Sequence, residues 1–386
     1  MVRDMDEPEI IKIGIIGNGK MGTDIFYYLA DFNFHLTWVC RSEEGRKNST
    51  DPFVRKLSRR RRSGLVDGAF VSYRMMNTNI TTRLSELSDS DIVIEAIGED
   101  TDAKAKLFGE LDPLVRKDTV IASNSSSIKP SCFIKNVGRP EYYAGLHFFF
   151  PVKYKNIVEI TTTDSTGERA INRIKKFLSI IERFYIILHE SEGFILNRIF
   201  LDFQAQAYRY YAEGALEPEE IDVIVKKDIF PLGVFEFMDS VGIDVMYRSV
   251  INYTRDLSDR EFYNPLLQGL QRLVREKRLG RKSGAGFYDY QDNASHKESN
   301  YRDDLRTSVS SCLICLYINS AFKALEKNIC SREDMEYAIR EYMGTEKGPF
   351  TLADEIGAGK ILKELTGLYE KTGFDAFKPS CMLKPV

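Results

Sequence analysis

His147 stands in the apolar run GLHFFFPVKYKNIVEI, with Glu159 twelve positions further on. An imidazole titrates near neutral pH, so it can take and return a proton, and an acid on its other ring nitrogen fixes the tautomer and stabilises the charged form. The pair therefore reads as a general base with its orienting acid, or as a core histidine beside a surface glutamate. Twelve residues are enough for a strand to end, turn at Pro151 and come back. His35, His189 and His296, the other three histidines, lie in no comparable pattern and read as ordinary polar positions.

A second chemistry is written in Gly17-Asn18-Gly19-Lys20-Met21-Gly22. It follows the strand-like IIKIGII and opens the helical TDIFYYLADF, the context in which G-x-G-x-x-G allows a tight turn, close approach of a pyrophosphate and tight helix packing. Gly17, Gly19, Met21 and Gly22 are accordingly expected to bind a dinucleotide. At the end of the second strand an acid suits a ribose 2′-hydroxyl and an arginine suits a 2′-phosphate. Cys40-Arg41-Ser42 has no acid there, which favours NADP over NAD through Arg41, although Glu43 and Glu44 follow closely and keep NAD open.

Two other clusters carry less. Cys312 and Cys315 form a CxxC, but inside the apolar helical pattern SSCLICLYINSAF with no second His/Cys pair close by, so packing is the expected role and no metal site is expected. The six cysteines, Cys40, Cys132, Cys312, Cys315, Cys330 and Cys381, are too scattered for a disulfide framework. Ser58-Arg59-Arg60-Arg61-Arg62-Ser63 is the one dense basic run, suited to phosphates or to a solvated helix face.

These residues need elements to hold them. From Ile10 to about Ile160 short apolar runs (IIKIGIIG, LTWVC, DIVIEAIG, TVIASN, AGLHFFF) alternate with helical patterns, which predicts an α/β, mostly parallel, doubly wound sheet over residues 1–189. Beyond His189 the texture is all-α. Within it EGALEPEEIDVIVKK leads to FPLGVFEFMDSVGIDVM, and EKNICSREDMEYAIRE leads to EKGPFTLADEIGAGKIL. Gly233, Phe235, Asp239, Val241 and Gly242 match Gly348, Phe350, Asp354, Ile356 and Gly357, and the spacing from Asp222 to Asp239 differs by one residue from that of Glu336 to Asp354. Two related helical domains, 190–290 and 300–386, are predicted, joined by the charged segment 291–304.

The bulk numbers set the class of partner. With 386 residues, 43% hydrophobic, 29% charged and a net charge of −3, the chain reads as a folded protein without a general pull toward nucleic acid or anionic membranes. The acidic start MVRDMDEPEI resembles no signal peptide, and no run of about 18 apolar residues suggests a membrane span, so a cytoplasmic protein acting on small molecules is expected.

IGNGKMG, EAIGEDTDAKAKLF, ASNSSSI, GLHFFFPVKYKNIVEI, SEGFILNRIF, FPLGVFEFMDSVGIDV and LGRKSGAGFYDY together resemble the 3-hydroxyacyl-CoA dehydrogenase family over almost the whole chain. The resemblance implies a Rossmann-type domain followed by helical domains, and NAD(P)-dependent interconversion of (S)-3-hydroxyacyl-CoA and 3-ketoacyl-CoA. It places His147 at the catalytic histidine and Glu159 at its acidic partner. Ser126 falls where the family's serine bonds the substrate oxygen, and Asn197 where an asparagine donates to the reacting or thioester oxygen. Glu99, Lys104, Asn124 and Lys282 fall among the cofactor contacts, and Arg59, Arg60, Arg61 and Arg62 where coenzyme A phosphates are held. For each a bland role stands beside the functional one: a polar loop at Ser126, a helix-packing hydrogen bond at Asn197, and solvated lysines at Lys104 and Lys282.

Two positions depart from the family's pattern. Phe150 stands where His-Phe-Phe-Asn-Pro has Asn, removing a polar contact expected near the nicotinamide, and Glu192 stands where Pro is common. Three functions therefore remain open: a 3-hydroxyacyl-CoA dehydrogenase with a single activity, a dehydrogenase of a free hydroxy acid or sugar acid like gulonate dehydrogenase and lambda-crystallin, and a nucleotide-binding partner without turnover. The internal repeat suggests a monomer that satisfies in one chain a surface that single-unit family members pair between two, with a homodimer as the alternative.

Overall fold

The computed structural model describes residues 12–190, 195–255, 257, 259–290, 303–328 and 330–384. The chain forms two compact units, Met1–Glu190 and Ser191–Val386.

In the first unit the described strands are β1 (Lys12–Ile16), β2 (His35–Val39), β3 (Thr78–Thr81), β4 (Ile92–Glu95), β5 (Val120–Ser123), β6 (Tyr143–Phe148), β7 (Ile157–Thr162) and β8 (Phe184–His189). They make one sheet in the order β3-β2-β1-β4-β5-β6-β7-β8. All neighbouring pairs are parallel except β6 with β7, which is antiparallel. The helices are α1 (Lys20–Leu29), α2 (Glu43–Arg62), α3 (Gly68–Met76), α4 (Thr101–Leu111) and α5 (Glu168–Ile180). This is the predicted doubly wound arrangement. Because strand order reverses between β1 and β4, the crevice at their C-terminal ends is the natural ligand site.

Each face of the sheet carries its own core, as a doubly wound fold requires. One gathers Ile13, Ile15, Phe26, Trp38, Leu146, Ile160 and Phe177, with the Phe26 ring stacked 4.2 Å from Trp38. The other gathers Ile16, Val93, Phe108, Ile121, Phe133 and Tyr143. The inner strands β1, β4, β5 and β6 therefore read as largely apolar runs, whereas the edge strand β3 is polar.

The second unit is helical: α6 (Ile195–Ala212), α7 (Pro218–Asp228), α8 (Val234–Val241), α9 (Ile243–Thr254), α10 (Asn264–Arg275), α11 (Asp303–Glu326), α12 (Arg332–Met343), α13 (Pro349–Ile356) and α14 (Ala358–Thr372). The sequences predicted as separate domains, 190–290 and 300–386, pack here as one compact unit. The reason is shared aromatic packing: Tyr317 of α11 stacks on Phe200 of α6 at 5.6 Å and meets Phe230 edge-on at 5.0 Å. Most of the expected linker, 291–302, lies outside the described residues, as do Glu192 and His296.

The repeat has a physical basis. In the first copy the buried Asp222 carboxylate accepts from the N–H groups of Phe235 and Glu236 at 2.9 Å each, closing the N-terminus of α8. In the second, Glu336 accepts from Gly348 at 3.0 Å and Phe350 at 2.9 Å, closing α13. An acid on one helix thus satisfies the orphan donors of the next in both copies. The copies then diverge, for Asp239 accepts from the N–H groups of Phe287 and Tyr288 at 2.9 and 3.0 Å, whereas Asp354 lies exposed beside Arg332.

Cys312 and Cys315 are buried along α11, where burial pushes their thiols up to about 11 and about 12, so packing is what they do there. Leu305–Glu326 is, among the described residues, the helix long and apolar enough to cross a membrane, with mean hydropathy 1.3. No uninterrupted apolar run marks it in the sequence, and 67% of its apolar window is buried inside the protein.

Candidate functional site

The glycine turn joins β1 to α1. Gly17 has φ +110°, a left-handed conformation, and a Cβ there would sit 2.5 Å from the Ala96 carbonyl oxygen. A Cβ on Gly22 would lie 2.1 Å from the Gly17 carbonyl oxygen, so the turn closes only with glycine at both places. Trp38 Nε1 donates to that same carbonyl at 2.8 Å, and Gly17 N donates to Val39 O at 2.9 Å. Gly19 faces open space with nothing within 4 Å of a notional Cβ, which is the room a pyrophosphate needs against the start of α1. The turn fits a dinucleotide.

At the end of β2, Cys40 is buried against Ser49, Arg41 is exposed, and Ser42 caps α2 by accepting from Gly45 N at 3.1 Å. The Glu43 carboxylate takes Arg46 Nε at 2.7 Å and Thr82 Oγ1 at 2.8 Å, and these bonds hold it below the usual carboxylate range.

A buried charged cluster lies at the ends of β4 and β5. Glu95, fully buried, accepts from Lys104 Nζ at 2.6 Å, from Ile97 N at 2.7 Å and from Ser123 Oγ at 2.7 Å. Glu99 accepts from Ser125 Oγ and from Ser126 N at 2.6 Å each, and from Ser126 Oγ at 3.1 Å. Lys104 is 1% exposed and 3.9 Å from Glu99. A solvated lysine was the bland reading there, and the structure replaces it with a buried ion pair. Glu99 instead holds the loop bearing Ser126. Asn124, expected among the cofactor contacts, accepts from Phe148 N at 2.8 Å and so ties the end of β5 to β6.

His147 and Glu159 are cross-strand partners in the antiparallel β6–β7 ladder. Leu146 and Phe148 point into one core with Val158 and Ile160, so alternation sends His147 and Glu159 together to the opposite face. His147 Nδ1 lies 2.8 Å from Glu159 Oε2, with the histidine 6% exposed and the glutamate fully buried. A buried carboxylate in that position selects the Nδ1–H tautomer and leaves Nε2 with its lone pair. The Phe149 ring packs 4.3 Å from the imidazole.

The next residue, Phe150, is 43% exposed, and Lys20 Nζ rests 4.0 Å from its ring centroid. Val152 N donates to Asp24 Oδ2 of α1 at 2.6 Å. Glu95, Lys20 and Asp24 are the residues that sequence reading passed over. Lys20 was visible inside the glycine motif; the others had no signal outside the fold.

On α2, Arg59, Arg61 and Arg62 line a cleft of about 860 Å³ with Arg55, Lys56 and Ser58. Arg60 is diverted, pairing with Asp31 and lying over the Phe70 ring. In the second unit Asn197 Nδ2 donates to Tyr253 Oη at 2.8 Å, and Lys282 pairs with Asp244.

The model for the NAD binding domain of 3-hydroxyacyl-CoA dehydrogenases matches residues 12–191, and the model for their C-terminal domain matches twice, over 193–290 and 309–386. Hydroxyacyl-coenzyme A dehydrogenase of Sus scrofa is 29% identical over 288 residues, 72% of this chain and 90% of that protein. The 3-hydroxybutyryl-CoA dehydrogenase of Clostridioides difficile is 30% identical over 283 residues, 72% of this chain and 99% of that protein. A crystal structure of 3-hydroxybutyryl-CoA dehydrogenase from Escherichia coli superposes with a TM-score of 0.85, covering 97% of this chain and 98% of that one, at 22% identity.

Proposed function

The chain belongs to the 3-hydroxyacyl-CoA dehydrogenase family, oxidoreductases acting on CH–OH donors, and from that premise we propose that it interconverts an (S)-3-hydroxyacyl-CoA and the 3-ketoacyl-CoA with His147 as base and acid. The His147–Glu159 pair carries this reading. In oxidation Nε2 takes the hydroxyl proton while Glu159 stabilises the imidazolium through Nδ1; in reduction the same nitrogen returns it. Bound NAD(P) supplies the hydride acceptor or donor. Gly17, Gly19, Met21 and Gly22 hold its phosphates and Glu99 contacts it, while the buried Lys104 acts through Glu99.

Ser126 binds the reacting oxygen when its one hydroxyl hydrogen, given to Glu99 at 3.1 Å in the structure, turns to the substrate, a donor of the kind that contributes a few kcal/mol in such sites. Arg59, Arg61 and Arg62 line the cleft that takes the coenzyme A phosphates. For the cofactor's own phosphate, the diversion of Glu43 and the exposure of Arg41 favour NADP.

The test is turnover of acetoacetyl-CoA with NADPH and with NADH by the purified protein. NADPH is expected to give the higher kcat/KM, and Arg41→Ala to narrow the difference. His147→Gln is expected to cost at least about a hundredfold, the scale of lost general acid–base catalysis. Full activity in that variant, or turnover of free hydroxy acids but not acyl-CoAs, defeats the reading.

A further inference from the structure

Lys20 is the first residue of α1, directly after Gly19, whose open side is where the glycine turn admits a pyrophosphate. The first turn of α1 carries no acid. The Lys20 ammonium lies 4.0 Å from the centroid of Phe150, the residue that departs from the polar side chain expected after Phe149. The Phe150 loop is moored to the same helix one turn further on, through Val152 N on Asp24 Oδ2 at 2.6 Å. Phe150 is 43% exposed, and its π face carries a cation beside the phosphate turn.

We propose that Lys20, held on the Phe150 ring, is an ionic clamp for the cofactor's pyrophosphate, so that Phe150 replaces a polar contact with a platform for a charged one. A bound pyrophosphate attracts the ammonium more strongly than a ring face does, and the ring limits the conformations the side chain must give up. The inference rests on the dinucleotide reading of the glycine turn and adds a residue and a charge to it.

The experiment is calorimetric titration of the full chain with ADP-ribose, which carries the pyrophosphate without nicotinamide, and with NADH. Lys20→Met is expected to weaken both about tenfold and to flatten their salt dependence, and Lys20→Arg to restore most of the affinity. Phe150→Leu is expected to weaken ADP-ribose about threefold when Lys20 is present and to change nothing further in the Lys20→Met background.

ADP-ribose affinity within twofold of the parent in Lys20→Met overturns the clamp, and additive losses in the double variant overturn the platform. Coenzyme A also carries a pyrophosphate. If Lys20→Met raises the KM of acetoacetyl-CoA at saturating cofactor and leaves ADP-ribose unchanged, the charge serves the substrate and the proposal fails. A parent protein that binds neither ADP-ribose nor NADH removes the underlying dinucleotide reading instead.

Discussion

Replacing Glu159 by Gln keeps the shape of the side chain and removes one charge from a place that water does not reach. Glu159 is fully buried and its Oε2 lies 2.8 Å from His147 Nδ1. When His147 takes a proton, the new charge and the carboxylate are centred about 4 Å apart, worth about 4 kcal/mol at an effective dielectric of about 20. The side-chain amide of the Glu159→Gln variant still offers one oxygen to Nδ1–H, and a neutral hydrogen bond returns about 1 kcal/mol. The remainder, about 3 kcal/mol, corresponds to a fall in kcat of about two orders of magnitude. The assay is the initial rate of NAD(P)H consumption with saturating acetoacetyl-CoA, with circular dichroism to confirm folding. Because a buried charge is removed and the ladder hydrogen bonds stay, Tm is expected to hold or rise. A folded Glu159→Gln protein with kcat within threefold of the parent refutes the orienting-acid argument.

Other consequences can be checked separately. Gly22→Ala forces a Cβ to within 2.1 Å of the Gly17 carbonyl; about 1–3 kcal/mol of stability and at least tenfold in NADH affinity should go, and an unchanged Kd would show that the turn does not touch the cofactor. Asp222 is pushed up to about 6 from 3.8, chiefly by burial. Its folded form therefore holds a proton that the unfolded chain has released, and between about pH 4 and 6 the parent should lose about 2–3 kcal/mol relative to Asp222→Asn as pH rises, with no further relative change above that window. Parallel pH–stability curves from thermal melts would contradict the shift. Light scattering should give a mass near 44.3 kDa, a single chain, because α11 already covers α6 in cis; a value near twice that refutes the monomer.

What the sequence disclosed and what it hid follow from range. The glycine turn, its flanking strand and helix, and the return of the chain between His147 and Glu159 are local patterns, readable within about twenty residues. The repeat was visible through Asp222, Glu336 and the glycines after them, although its reason, an acid closing the next helix, needed coordinates. β3 and β8 escaped notice because TNIT is short and polar and FYIILH adjoins the helical α5. Glu95 escaped because nothing in IVIEAIG shows that its acid is buried, or that a lysine on the following helix neutralises it. Burial of a charge belongs to the fold, and the pattern of types along the chain does not encode it directly.

The antiparallel ladder that sets His147 opposite Glu159 also has a use for engineering. The pair is aligned by strand register, so residues 153–156 before β7 can be exchanged or lengthened without moving either group, provided that Phe149 against the imidazole, Phe150 under Lys20 and the Val152–Asp24 tether are retained. A loop library inserted there would vary the surface beside an unmoved His147–Glu159 pair, and a change in which substrates turn over would follow if that pair is the base proposed above.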